Sequence, residues 1–214
     1  AQDGSRVPMD SPVAVKEAVL PFKRFRTSEG RIVDSVLGPE MRSTGEVMGI
    51  DRDFPRAFAK SQDAAYGGLP DTGVVFVSVA DRDKRSVILP VLRLMQLGFT
   101  IWATEGTAEV LARYGIPARV VRKYFEGSAV VPGAERSIVD LINDGEVDIV
   151  INTPSGRTAR ADGFEIRTAT VAADKPLFTT IAQVGAAVAS LESAGEPVSV
   201  TSLQDYALAR RAQR

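Results

Sequence analysis

Apolar and polar positions divide the chain into two stretches of different character. From residue 74 onward, short apolar runs alternate with segments of helical period. Val74-Val75-Phe76-Val77-Ser78-Val79 is nearly continuous apolar sequence, the pattern of a strand buried on both faces. Residues 83–97 follow as a helix that stops at Gly98, and residues 99–103 as a second strand. A helix at 107–114 ends at Gly115, and 118–121 forms a third strand. Residues 135–143 read as a helix ending at Gly145, 147–152 as a fourth strand and 164–174 as a helix. A short fifth strand at 177–179 leads into a helix at 180–194 with small residues on one face. Such alternation predicts an α/β fold: a doubly wound, mostly parallel five-stranded sheet with helices on both faces.

The front of the chain lacks this rhythm. Residues 1–12 are a polar, proline-bearing lead-in, and 13–22 are β-like with incomplete alternation. Residues 27–45 read as loop and 46–50 as a short strand. Asp53 as N-cap and Pro55 in the first turn predict a helix at 56–65, which stops before Gly67-Gly68. These elements are too few to close a core. They read as a small α+β remnant of a larger domain (13–66), joined by a linker (67–73) to the α/β domain (74–214). The chain starts without methionine and reads as a piece of something longer.

Composition narrows the chemistry. With 214 residues there is room for one or two domains and a real core. The net charge of −1 gives no global field for nucleic acid or an anionic membrane, and neither partner is expected. There is no cysteine and no histidine, which excludes disulfides, thiolate sites, the usual triads and most zinc sites; no metal site is expected. No signal peptide or membrane span is visible, so a cytoplasmic protein is the expectation.

The candidate site lies where the strands end. In doubly wound sheets ligands sit beyond the carboxyl ends of the strands. Ala103-Thr104-Glu105-Gly106-Thr107 places a tight turn between a strand and a helix start, where unpaired N–H groups and the helix dipole attract anions. By itself that stretch reads equally well as an ordinary helix start, with Thr107 as N-cap and Gly106 as a turn glycine. Ser78 and Lys84 follow the first strand, Lys123 the third, and Asn152 and Ser155 the fourth. Together with Thr104, Gly106 and Thr107 they predict a phosphate-plus-polar-group site. No carboxylate pair is placed for acid–base work.

One family carries these features in this order. Leu37-Gly38-Pro39-Glu40-Met41-Arg42-Ser43-Thr44-Gly45-Glu46-Val47-Met48-Gly49 resembles the signature near the end of the second ATP-grasp half of the carbamoyl-phosphate synthase large subunit. Ala103-Thr104-Glu105-Gly106-Thr107, Glu126-Gly127 and Ile151-Asn152-Thr153 resemble its C-terminal regulatory domain, which has the methylglyoxal synthase-like fold. The resemblance runs from about Val13 onward.

It implies an ATP-dependent ligase that makes carbamoyl phosphate from bicarbonate, glutamine and ATP for pyrimidine and arginine synthesis, with a small glutaminase subunit as partner. This chain would be the non-catalytic regulatory end. ATP and Mg or Mn would be held upstream, with no cofactor in the piece itself. The effector nucleotides UMP (inhibitor) and IMP would bind through Lys84, Thr104, Thr107 and Lys123, with Ser78 and Asn152 nearby. The resemblance also carries ornithine binding onto Glu17, Leu37 and Thr179, and the carbamate tunnel onto Lys16 and Glu46. Pro154 and Leu177 stand where relatives place a threonine and a tyrosine. Two other readings compete: an enzyme acting on a small phosphorylated substrate, and a structural module that forms homo-oligomers.

Overall fold

The computed structural model describes residues 11–19, 45–122, 136–153, 159–194 and 199–212. Among these, a two-stranded antiparallel ribbon comes first, β1 (Val13–Val19) against β2 (Gly45–Asp51), with Val15 opposite Gly49 and Lys16 opposite Met48. Helix α1 (Phe54–Tyr66) lies on one face of it. Asp53 caps that helix by accepting the Arg56 N–H, and Pro55 sits in the first turn, as the sequence predicts. The close approach depends on Gly49: a Cβ there would stand 2.0 Å from the Ala57 carbonyl oxygen.

The second sheet is parallel and five-stranded: β3 (Val74–Val79), β4 (Thr100–Ala103), β5 (Arg119–Val120), β6 (Ile149–Thr153) and β7 (Leu177–Phe178). Their order is β5-β4-β3-β6-β7. The chain therefore winds outward from β3 to one edge, returns to the other side of β3 and winds outward again. That reversal puts the topological switch point beside β3.

Alternation along β3 feeds two cores. Val75, Val77 and Val79 join Val91 and Leu94 of α2 (Ile88–Gln96), Leu111 of α3 (Glu105–Arg113), and Val184 and Val188 of α6 (Ile181–Glu192). Phe76 joins Ile138, Leu141 and Ile142 of α4 (Ile138–Asn143) and Ile166 of α5 (Ala159–Ala172) on the opposite face. Each such side chain contributes about 1.5–3 kcal/mol on full burial. Helices thus cover both faces, as the apolar run in β3 requires. Phe58 of α1 belongs to the first core, so the front section packs onto the sheet domain rather than hanging from it. Gly98, Gly115 and Gly145 follow helices with positive φ, as predicted.

Several boundaries differ from the sequence reading, α4 for example beginning at Ile138 rather than 135. The helix expected at 83–97 begins at Ile88, after a short 3₁₀ turn at Asp81–Asp83. Pro90 is the reason: in mid-helix it would clash with the preceding turn, whereas in the first turn its missing N–H goes unneeded. Helix α3 begins at Glu105 rather than 107, with Thr104 as its N-cap. Helix α5 spans Ala159–Ala172 rather than 164–174. Asp174 has left-handed φ (62°), and the Lys175 N–H turns back to the Thr170 carbonyl, closing the helix two residues early.

Finally, α7 (Leu203–Ala212) was not anticipated. Its start is marked by Ser202, whose Oγ accepts the Asp205 N–H at 3.0 Å and donates to the Asp205 carboxylate at 2.6 Å. The α7 segment returns to the ribbon. Tyr206 donates to the Ile50 carbonyl at 3.4 Å. Lys60 donates to the carbonyls of Ile50 (3.1 Å) and Ser199 (2.5 Å), and its Nζ lies 2.8 Å from the buried Asp51 carboxylate.

Candidate functional site

Beyond the carboxyl end of β3 the chain makes a tight link to β6: the Ala80 N–H is shared by the Thr153 carbonyl (3.1 Å) and Thr153 Oγ1 (3.0 Å). The 3₁₀ turn then brings Lys84 back toward the strand ends. Lys84 Nζ pairs with Asp81 Oδ1 at 2.8 Å, the lysine side chain 24% exposed and the aspartate 92%. A Cβ on Gly106 would meet Lys84 Nζ at 3.2 Å, so the ammonium stands over the first turn of α3.

That first turn leaves backbone donors open. Thr104 has extended backbone at the N-cap, but its hydroxyl does not cap the helix. It donates to Thr107 Oγ1 at 3.2 Å instead. The N–H groups of Glu105 and Gly106 are left without an intramolecular partner among the described residues. Two backbone donors, the positive end of the helix dipole and the Lys84 ammonium therefore converge. Gly106 lies inside the helix rather than in a turn before it, and Thr107 is not the N-cap; both departures follow from the helix starting at Glu105. Thr104 and Thr107 are 7% and 2% exposed, so their hydroxyls hold the turn together from beneath.

Ser78 and Asn152 face each other across the β3–β6 register, with Asn152 buried at the end of its strand. The structure thus gathers Lys84, Thr104, Gly106 and Thr107 on the β4 side of β3 and pairs Ser78 with Asn152 on the β6 side. Lys123 and Ser155 lie outside the described residues, as do Leu37 and Pro154. Sequence reasoning passed over Arg167, whose guanidinium reaches Gly163 near Asn152. Its only sequence signal is the i, i+4 spacing of a glycine and an arginine on one helix.

Of the residues assigned to other sites, Lys16, Glu17 and Glu46 lie in the ribbon and Thr179 just after β7. Glu17 accepts from Gln62 Nε2 at 3.3 Å. Burial pushes its carboxyl above the ordinary value, only partly offset by that hydrogen bond. Tyr66, at the end of α1, is raised by burial and then by the charges of Glu17 and Asp174. Thr179 bonds to Gln183 through both its N–H (3.1 Å) and its hydroxyl (3.3 Å), and no hydrogen bond joins it to Glu17. Lys16 and Glu46 form an exposed ion pair at 2.8 Å on the outer face of the ribbon.

The crevice presents backbone donors and an ammonium. The chain has neither histidine nor cysteine. The carboxylate nearest the ammonium, Asp81, is paired with it. Among the described residues no cluster of three or more His, Cys, Asp or Glu could hold a metal ion, and no helix is long and apolar enough to cross a membrane.

Residues 87–179 match the MGS-like domain family. The carbamoyl phosphate synthase large chain of Clavibacter sepedonicus is 76% identical over 213 residues, covering 100% of this chain and 19% of that protein. The large chain of Beutenbergia cavernae is 63% identical over 214 residues with the same coverage, and that of Streptomyces coelicolor 55% over 206 residues, 96% of this chain and 18% of that one. Among solved structures, ForH aligns with 67% of this chain and 90% of its own at 19% identity, with a TM-score of 0.39, too loose a likeness to bear on the fold. The chain spans about a fifth of the length of the curated relatives it matches, 19% in the first of them. Over its whole length it belongs to the carbamoyl phosphate synthase large-chain family, with an MGS-like domain at residues 87–179.

Proposed function

We propose that this chain is the regulatory, C-terminal part of a carbamoyl phosphate synthase large chain and that its crevice binds an effector nucleotide monophosphate, UMP or IMP. The observation that carries the reading is the Lys84 ammonium standing over the open first turn of α3, 3.2 Å from the Cβ position of Gly106. A phosphate seated there would accept from Glu105 and Gly106 N–H groups and pair with Lys84, while Ser78 and Asn152 would face the nucleoside. Lys123 and Ser155 are assigned to the same site by their strand-end positions.

The whole enzyme would join bicarbonate, ammonia from glutamine and ATP, with a small glutaminase subunit, in the cytoplasm. ATP and its divalent cation would be held by parts of the large chain other than these 214 residues. Residues 13–66 would be the remnant of the phosphorylating domain, residues 67–73 the linker and 74–214 the effector domain. Glu17, Leu37 and Thr179 are proposed for ornithine, and Lys16 and Glu46 for the carbamate tunnel. A nucleotide that favours one arrangement of the two parts would bias the distant sites by its differential affinity, about 1–3 kcal/mol.

Calorimetric titration of the chain with UMP, IMP and inorganic phosphate tests the reading. Saturable nucleotide binding is expected. A folded chain that binds none of the three overturns it, and turnover of dihydroxyacetone phosphate would favour a phosphorylated-substrate enzyme instead.

A further inference from the structure

Away from the crevice, a cavity of about 350 Å³ opens where α1 and the ribbon meet the linker and the end of α6. Two helices finish on it: Gly67 caps α1 with left-handed φ (80°), and Ser190 and Ser193 belong to the close of α6. A helix C-terminus carries open carbonyls and partial negative charge, which a basic residue in the last turn offsets. Neither α1 nor α6 has one. The side chains add to the imbalance. Asp63 and Asp71 lie exposed at the rim, and among the described residues neither carboxylate has a hydrogen bond or an ion pair. Ser190 is 4% exposed, and its hydroxyl likewise has no partner among them. The two cations on the wall are engaged. Lys60 is held by Asp51 at 2.8 Å and by the Ile50 and Ser199 carbonyls, and Arg56 by Asp53 at 2.9 Å.

We infer that this cavity binds a linear aliphatic diamine. Its ammonium groups, which carry donors only, meet the free carboxylates, the helix-end carbonyls and the Ser190 hydroxyl. Its methylene stem lies against the apolar wall of Ala59, Leu69 and Leu191. A carboxylate on the ligand would be repelled by Asp63 and Asp71 and would find neither wall cation free, so an amino acid is disfavoured. Glu17 and Thr179, proposed above for ornithine, do not line the cavity. The ligand touches both α1 and α6, and so ties the front section to the sheet domain. The inference stands apart from the nucleotide reading.

The test is titration of the 214-residue chain with putrescine, butylamine and ornithine, followed by amide NMR shifts. Putrescine is a four-carbon diamine, butylamine lacks one ammonium, and ornithine adds a carboxylate. Putrescine should bind with a Kd of about 1 mM, at least about threefold tighter than either relative. Its shifts should gather at the ends of α1 and α6. Asp63→Asn combined with Asp71→Asn should weaken it about tenfold, and Ser190→Ala about threefold. Ala59→Leu should fill the cavity and abolish binding in a chain that still melts cooperatively, and Glu17→Gln should leave putrescine affinity unchanged. A Kd unmoved by the paired aspartate substitutions overturns the proposal. So does ornithine binding as tightly as putrescine, or the absence of saturable putrescine binding by the folded, unsubstituted chain.

Discussion

Lys84 Nζ stands 3.2 Å from the point that a Cβ on Gly106 would occupy, so a lysine from the end of one strand sits on the helix that follows the next. Removing either partner should act on the same ligand. Lys84→Ala should weaken UMP binding at least about tenfold, the scale of a charge-assisted contact. Gly106→Ala should favour the helix yet crowd the ammonium, lowering affinity while the melting temperature holds or rises. Titration calorimetry paired with thermal melts separates the two effects. Undiminished UMP affinity in both variants would remove the phosphate from this corner.

Asp81 competes with the ligand. It is almost fully exposed and pairs with Lys84 at 2.8 Å, a contact an incoming phosphate must displace. Exposed pairs are weak, so Asp81→Ala should tighten UMP binding by about threefold, with little change in stability. A fall in affinity would mean that Asp81 orients the lysine instead.

At the opposite, amino-terminal edge of the sheet, Asp148 accepts the Val74 N–H at 2.9 Å and the Lys175 ammonium at 3.1 Å. Gly73 has φ 134°, and a Cβ there would stand 2.1 Å from Asp148 Oδ2. Gly73→Ala combines a strained backbone with a displaced carboxylate and should cost about 3 kcal/mol. Urea denaturation measures it; a cost below about 1 kcal/mol would show that the edge repacks freely.

Acid should loosen the ribbon first. Burial alone would raise the Asp51 carboxyl, but the hydrogen bond from Lys60, the Arg52 N–H, and the charges of Lys60 and Arg56 outweigh it and hold it below the ordinary value. Folded Asp51 therefore binds fewer protons than unfolded Asp51. Its stabilisation is fully present above the ordinary value and lost as pH falls through the lowered one. Glu17, raised by burial, works in the opposite sense: its contribution fades as pH rises from the ordinary value through the raised one. Asp51→Asn should flatten the acid limb of the stability profile and cost about 2 kcal/mol at neutral pH, where Lys60 loses its carboxylate. An unaltered acid limb would place the titrating group elsewhere.

The alternation of strand and helix was readable because the central strands β3, β4 and β6 are apolar on both sides, and the strand-end rule led to Lys84, Thr104 and Thr107. Local chemistry that a single line of residues carries was also present but overlooked. Pro90 dictated where α2 begins, and Ser202 with Asp205 announced α7. What no linear reading could supply was the use of the threonines. Their hydroxyls bind each other under the turn, and the backbone donors take the exposed place. The nearness of Arg167 and Asn152 to Gly163 was equally hidden, because it depends on how α5 packs on β6.

The bonds from Lys60 to Ser199 and from Tyr206 to Ile50 join residues 139 and 156 positions apart. During synthesis the ribbon and α1 therefore leave the ribosome long before their last partners exist. At about 5–20 residues per second, that wait lasts on the order of ten seconds. Through it the ribbon and α1 go without both contacts, and the emergence of α7 closes the clasp.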